Sequence, residues 1–326
     1  MARSDLLLSL VKAGTSGDRK LFRTTVEAII AEERSRKHSV LADRLTKQLE
    51  VNGHTGTNGS SNGISFLGDF FHEISPKRSL TDMVLPEHVL HACLELIEEQ
   101  HRADLLRSHN IQPRHRILLS GAPGNGKTTL AEALAESLMV PLLVARYDGL
   151  IGSYLGETAS RLRKLFDYVR ARPCVLFFDE FDTLGKERGD KRETGEIKRV
   201  VSSLLMQIDE LPAHVVVVTA TNHSELLDRA VWRRFQLRLE LPLPTASQAE
   251  KFFSMASERF GFPLGIQPKT FAKRLAGLSF AELEDFIGDI ARRYVLALPD
   301  ADIRQIVAAR LRQWEQKIGP QTSPQD

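Results

Sequence analysis

The sequence predicts an α/β chain: a parallel five-stranded sheet with helices on both faces, a small all-helical region behind it and a short helical bundle in front. Three observations lead there. Five short apolar runs read as buried strands: RILLS (116–120), PLLVARY (141–147), CVLFF (174–178), HVVVVTA (214–220) and QLRLEL (236–241). Helical patterns separate the first four, as in a doubly wound sheet. After Pro242 and Pro244 the strands stop, and 246–317 reads as helix, broken near Gly261-Phe262-Pro263, at Gly277 and at Pro299.

At the front, Ser4 can cap a segment carrying Leu6, Leu7, Leu10 and Val11 that Gly14 ends. Ser16 can cap a second, with Leu21, Phe22, Val26, Ile29 and Ile30 at helical spacing. Leu41, Leu45 and Leu49 mark a third. Residues 1–50 are therefore expected to form a helical bundle, either a partner-docking element or one that packs on the body of the protein. The stretch 51–65 holds four glycines, three asparagines and almost no large apolar residue, so 51–75 is read as a flexible linker. The α/β unit then spans 76–244 and the helical region 245–318, with a disordered tail over 319–326.

Composition sets outer bounds. The 326 residues suffice for two or three compact units, and 42% hydrophobic with 26% charged residues is the balance of a folded, soluble chain. A formal net charge of +2 weighs against nucleic acid as a partner, which calls for a basic surplus or patch. Cys93 and Cys174 lack metal-ligand spacing, and Cys174 opens an apolar run as a small core hydrophobe. The N-terminus lacks a secretory pattern and no run approaches the ~18 to 20 apolar residues of a membrane span. A cytoplasmic location is expected.

The chemistry begins where the first strand ends. Gly121-Ala122-Pro123-Gly124-Asn125-Gly126-Lys127-Thr128 satisfies G-x-x-x-x-G-K-[ST] in full, with a strand running in and the Ala- and Leu-rich segment Thr129–Leu138 running out. Backbone N–H groups of such a loop and the following helix N-terminus point at phosphate, and glycines are needed because a Cβ would block the approach. Gly121, Pro123, Gly124, Asn125, Gly126, Lys127, Thr128 and Thr129 are the expected ATP contacts. Lys127 supplies a cation for the β- and γ-phosphates and the Thr128 hydroxyl a ligand for Mg²⁺.

About fifty residues on, Val175-Leu176-Phe177-Phe178-Asp179-Glu180 is a buried strand ending in two carboxylates. Strand ends of open α/β sheets are where ligands bind. Asp179 is expected to hold Mg²⁺ through its water shell, and Glu180 to act as general base on the attacking water. Asn222, at the tip of the next strand, can hydrogen-bond the γ-phosphate or that water.

Together these motifs, in this order over 76–316, resemble the AAA subfamily of AAA+ ATPases. The resemblance implies a large α/β subdomain, a helical lid, and ATP sites at subunit interfaces, usually in a hexameric ring that acts on a polypeptide. Asn222 matches the family's sensor-1 position. Leu227–Phe235 resembles its second region of homology, in the Arg-Arg-Phe form of spastin- and katanin-like members, which makes Arg233 and Arg234 arginine fingers reaching a neighbour's γ-phosphate. On residue type alone, the preferred reading of this pair is a solvated or salt-bridged surface. Gly152–Thr158 resembles the first pore loop, with Tyr154, Leu155 and Gly156 gripping substrate; periodicity does not separate this from an ordinary half-buried pair at Tyr154 and Leu155, and only the resemblance favours the pore. Residues 186–196 would be the second pore loop.

The sequence also departs from the family. Asp209-Glu210-Leu211 replaces an Asp-Gly-aromatic signal, and Phe280 stands where glycine is usual in a Ser-Gly-Ala run. There is no sensor-2 arginine. The arrangement of the whole chain is similar to stand-alone bacterial ATPases, some paired with a subtilisin-like protease in phage defence. What the resemblance implies is thus a Mg-ATP-driven ring that remodels or threads a polypeptide. The alternative is an ATP-controlled switch that recruits an effector protein, such as a protease, without translocation.

Overall fold

The computed structural model describes residue 25 and residues 70–150, 155–184, 201–260 and 264–318. All but Thr25 belong to one compact unit, Leu67–Asp326. The expected bundle (1–50), most of the linker, Tyr154, the segment 186–196 and the tail lie outside the described residues.

Six strands form one sheet: β1 (Phe71–Ile74), β2 (Arg116–Ser120), β3 (Leu142–Ala145), β4 (Cys174–Phe178), β5 (Val215–Thr221) and β6 (Leu237–Glu240), in the order β1-β3-β4-β5-β2-β6. The five strands expected from the sequence are all present and mutually parallel. The sixth, β1, runs antiparallel to β3, with Phe71 opposite Ala145 and Ile74 opposite Leu142. It falls inside the stretch read as linker. As the outermost strand it is buried at Phe71 and exposed at the consecutive residues His72 and Glu73, so it lacks the unbroken burial of the central strands.

Alternate residues of the central strands enter two different cores. Leu118, Leu176, Phe178, Val215 and Val217 pack on one face, and Ile117, Leu119, Val175, Phe177, Val216 and Val218 on the other. Burial on both faces explains why these strands read as unbroken apolar runs. One face is covered by α1 (Glu87–His101) and α3 (Lys127–Ser137), through Val89, Cys93, Leu96, Leu130 and Leu134. The other is covered by α5 (Leu155–Arg170) and a helical stretch over 201–209, through Leu162, Leu165, Phe166, Leu204 and Ile208. Shorter helices are α2 (Ala103–Ser108), α4 (Tyr147–Leu150) and α6 (Arg229–Trp232). The run 141–147 was expected as strand throughout, but its last residue opens α4.

The helical region is built from α7 (Ala246–Phe260), α8 (Pro268–Arg274), α9 (Phe280–Leu296) and α10 (Ile303–Ile318), around a core of its own. Phe253 packs on Phe271 at 4.9 Å and Phe286 on Trp314 at 5.7 Å, aromatic contacts that tie the four helices together. Ser279 starts α9 with a full capping box: its hydroxyl accepts from the Glu282 N–H and the Glu282 carboxylate accepts from the Ser279 N–H.

Candidate nucleotide site

Strand order brings the motifs together. β2 and β4 both pair with β5, so the loop leaving β2 and the carboxylates leaving β4 flank the tip of β5. Ser120 lies opposite Thr221 and Phe178 opposite Thr219. Asn222 therefore follows directly from a strand end set between the loop and Asp179.

The loop needs its glycines. Gly121, Gly124 and Gly126 have φ of +139°, +77° and +85°, which side-chain-bearing residues rarely adopt. A Cβ on Gly121 would lie 2.2 Å from the Leu241 carbonyl oxygen at the end of β6. The same carbonyl accepts from Asn125 Nδ2 at 3.3 Å. The Leu241 N–H in turn donates to Ser120 O at 2.8 Å, so the loop is pinned against the strand that leads into the helical region. At its apex, the Gly124 carbonyl accepts from the Ala281 N–H of α9 at 2.9 Å. The first turn of α9 is thus docked on the phosphate loop.

Lys127 opens α3, buried, and its Nζ donates to the Gly121 and Ala122 carbonyls at 2.7 and 3.0 Å. Burial lowers its pKa, opposed by the charges of Asp179 and then Asp182. Thr128 Oγ1 donates to Asp179 Oδ2 at 3.0 Å, and Asp179 Oδ1 accepts from the Glu180 N–H at 2.9 Å. Glu180 is exposed and has a φ of +46°, a strained backbone for a residue with a Cβ. That turn carries its carboxylate away from the strand and into the cavity wall. Thr128 and Asp179 present two adjacent hard oxygens beside the loop. This donor set fits Mg²⁺, which uses one or two carboxylates together with phosphate oxygens and water.

A cavity of about 410 Å³ runs from these groups to the helical region, and Pro123–Thr129, Asp179, Glu180 and Asn222 line its inner part. Asn222 Oδ1 is buried with no protein partner among the described residues, a polar atom left for a ligand or water. Every residue expected to touch ATP other than Gly121 lines this space; Gly121 shapes the loop from behind.

A profile described as "ATPase family associated with various cellular activities (AAA)" matches residues 117–243. An uncharacterized AAA family ATPase of Sinorhizobium fredii is 38% identical over 87% of each chain. The chain belongs to the AAA ATPase family. It is an ATPase on the same ground. It is also similar to ATP-dependent zinc metalloprotease FtsH 3 of Sphaerobacter thermophilus, 34% identical over 59% of this chain and 41% of that one. A third relative is the 26S proteasome regulatory subunit 8 homolog of Encephalitozoon cuniculi, 32% identical over 56% of this chain and 48% of that one. The chain thus spans less than half the length of these last two.

The remaining AAA-type positions lie elsewhere. Arg233 is exposed, and neither it nor Arg234 lines the chain's own cavity. Arg234 forms an ion pair with Asp209, which also takes Arg116 at 2.7 Å. Asp209, at the departure from the Asp-Gly-aromatic signal, therefore holds one of the two arginines within its own chain. Leu155 and Gly156 begin α5, and Gly156 has open space where a Cβ would be.

Several site residues escaped sequence reasoning. Asp182 is buried beside the carboxylate pair and accepts from Thr221 Oγ1 at 3.0 Å; a third acidic residue past the strand gave no signal of its own. Tyr147 stacks on Phe178 at 6.4 Å, and burial, with Asp179 nearby, pushes its phenol above the ordinary tyrosine range. Arg78, Asp82, Met83, Val84, Phe252, Arg259 and Glu284 also line the cavity. Phe280, noted only as bulky, packs its ring 5.6 Å from that of Phe252.

Proposed function

We propose that this ATPase works as a ring in which each site is completed by a neighbour, and that the ring uses hydrolysis to remodel or thread a polypeptide. The observation that carries the reading is the position of Arg233, exposed at the end of α6 and outside its own cavity. A phosphoryl-transfer transition state spreads charge over the γ-phosphate oxygens, and a planar, permanently charged guanidinium stabilises it. Lys127 lies in the phosphate loop, Arg78 and Arg259 also line the cavity, and Arg233 of another copy would add a further cation at the γ-phosphate.

Within one subunit the labour divides as follows. The loop N–H groups and Lys127 bind the phosphates, Asn222 orients the water or γ-phosphate, and Glu180 takes the proton of the attacking water as the bond to the leaving phosphate breaks. Thr128 and Asp179 would hold Mg²⁺, which would supply charge neutralisation at the phosphates. Relatives named for ATP-dependent proteolysis and for proteasome regulation support a polypeptide as the object of the work. The tandem Arg233-Arg234 further supports a spastin- or katanin-like branch.

Complementation between inactive variants tests the shared site. Lys127→Ala and Arg233→Ala should each abolish turnover, and mixing them should restore part of it, because some interfaces pair an intact loop with an intact arginine. Full turnover by Arg233→Ala alone, or no recovery on mixing, refutes the shared site. For threading, Tyr154→Ala should keep ATP hydrolysis and lose unfolding of a tagged test protein; retained unfolding refutes it.

A further inference from the structure

The carboxyl edge of the sheet carries a second polar cluster, behind the cavity, and alternation along the strands places it. Ala145 and Phe178 face one core together with Val215 and Val217, which puts Thr219 and Thr221 of β5 on that same side. Tyr147, two residues past Ala145, packs on this core with its ring 6.4 Å from that of Phe178 and the planes 26° apart. Asp182, in the short turn Phe181–Leu184, reaches the same side, because its Oδ1 accepts from Thr221 Oγ1 at 3.0 Å. β4 runs between β3 and β5. Tyr147 therefore comes from one neighbour of β4 and Thr221 from the other, with Asp182 past the tip of β4 itself.

The Tyr147 hydroxyl is sealed from solvent and has no protein partner among the described residues, whereas buried hydroxyls are normally hydrogen-bonded. Tyr147 does not line the nucleotide cavity, so a bound nucleotide does not supply the partner. The ring stack accounts for an aromatic at this position but not for its hydroxyl: phenylalanine would stack equally without sealing in a polar atom. Burial, and then the charges of Asp179, Asp182 and Glu180, keep the phenol above the ordinary tyrosine range, so it is a neutral donor. Of these three carboxylates only Asp182 is buried; Asp179 accepts from Thr128, and both it and Glu180 line the cavity. Asp182 in turn shapes the site. Thr221 Oγ1 donates to it and accepts from the His223 N–H at 3.0 Å, and these two bonds close the turn around Asn222.

We propose that Tyr147 and Asp182 hold one buried water between them, and that this bridge braces the Thr221–His223 turn that presents Asn222 to the γ-phosphate. The phenol O–H donates to the water oxygen and the water donates to the Asp182 carboxylate, so each group keeps the role its chemistry allows. Both are positioning residues that act through Asn222. The bracing rests on the reading of Asn222 as the group that orients the attacking water or the γ-phosphate, and not on ring formation.

Tyr147→Phe keeps the ring and deletes only the hydroxyl. If that hydroxyl had no partner, its removal would leave stability unchanged or raise it, because an unbonded buried polar group would be gone. The bridge predicts the reverse: the variant unfolds at a lower urea concentration than the intact chain. It should bind ADP within about twofold of the parent and hydrolyse ATP with kcat lowered about tenfold at unchanged KM, the split expected when a group acting in the transition state is misplaced. Asp182→Asn should lower kcat as well, and the double variant should lose little more than Asp182→Asn alone, because the two act in series. Thr221→Val takes the place of Asp182→Asn in this cycle if the latter no longer binds ADP. Unchanged or raised stability of Tyr147→Phe overturns the bridge, as do losses that multiply in the double variant. Lowered stability with parental kcat overturns the bracing of Asn222. Parental turnover by Asn222→Ala overturns the Asn222 reading instead, and the stability comparison then decides the bridge by itself.

Discussion

Replacing Gly121 with alanine should be far more damaging than its single methyl group suggests, and Gly277→Ala supplies the control. Both glycines have positive φ, +139° at Gly121 and +86° at Gly277. At Gly277 a Cβ would meet nothing within 4 Å, so only backbone strain is charged, about 1–2 kcal/mol. At Gly121 the Cβ would stand 2.2 Å from a backbone carbonyl oxygen of Leu241, about 1 Å inside ordinary contact. No side-chain rotation relieves that overlap. The loop has to retreat from β6, straining the Leu241 N–H to Ser120 O bond and the Asn125 Nδ2 to Leu241 O bond. Losing both costs about 1–3 kcal/mol, and the strain at Gly121 adds about 1–3 kcal/mol, for roughly 4 kcal/mol in all. A 1 Å displacement of phosphate-binding groups should also lower turnover about 100-fold. Urea unfolding of both variants, with steady-state ATP hydrolysis, measures the two effects. If Gly121→Ala proved as stable as Gly277→Ala and hydrolysed ATP within tenfold of the parent, the carbonyl contact would not constrain the loop as argued.

Other outcomes follow from the same geometry. Arg234→Ala should lower stability by about 1 kcal/mol, because Asp209 loses a partner, whereas Arg233→Ala should change stability by less than about 0.5 kcal/mol and still suppress turnover; thermal melts run beside activity assays separate the two. Asp179→Ala should raise the Mg²⁺ concentration needed for half-maximal turnover well beyond any change in ATP affinity measured with chelator present. Glu180→Gln should retain bound ATP after gel filtration while product release falls to background. His115 is buried, and burial lowers its pKa below the usual histidine value near 6.5. Below that pH the unfolded chain takes up a proton that the folded chain refuses. Stability should therefore be level above pH 6.5 and fall as pH drops below it, and His115→Gln should flatten this slope in unfolding titrations between pH 5 and 7.

Much of the site was readable from the chain because its parts are local. Gly121–Thr128 form one contiguous phosphate-loop motif, and Asp179 and Glu180 are fixed by ending a strand whose burial is written in five successive apolar residues. The parallel strands were legible for the same reason. β1 was not: four residues with a broken burial pattern carry little signal, and it is held by pairing with β3 some seventy residues on. The outer cavity was equally hidden. Phe252, Arg259, Phe280 and Glu284 look like ordinary positions on amphipathic helices, and nothing local says that two of those helices face the phosphate loop. The arginine pair shows the boundary most clearly. Sequence treats Arg233 and Arg234 alike, but only Arg234 is within reach of Asp209.

By itself, then, the sequence determined that this chain carries a phosphate-loop motif ending in Lys127-Thr128 and has Asp179 and Glu180 at a strand end, because short motifs and periodic burial are properties of neighbouring residues. Tertiary structure alone decided that β5 lies between the two motif strands, that Ala281 closes on Gly124, and that Asp209 claims Arg234. Those contacts join residues far apart in the chain. Their free energy depends on distances that only the packed sheet and helices set, so no local pattern had to record them.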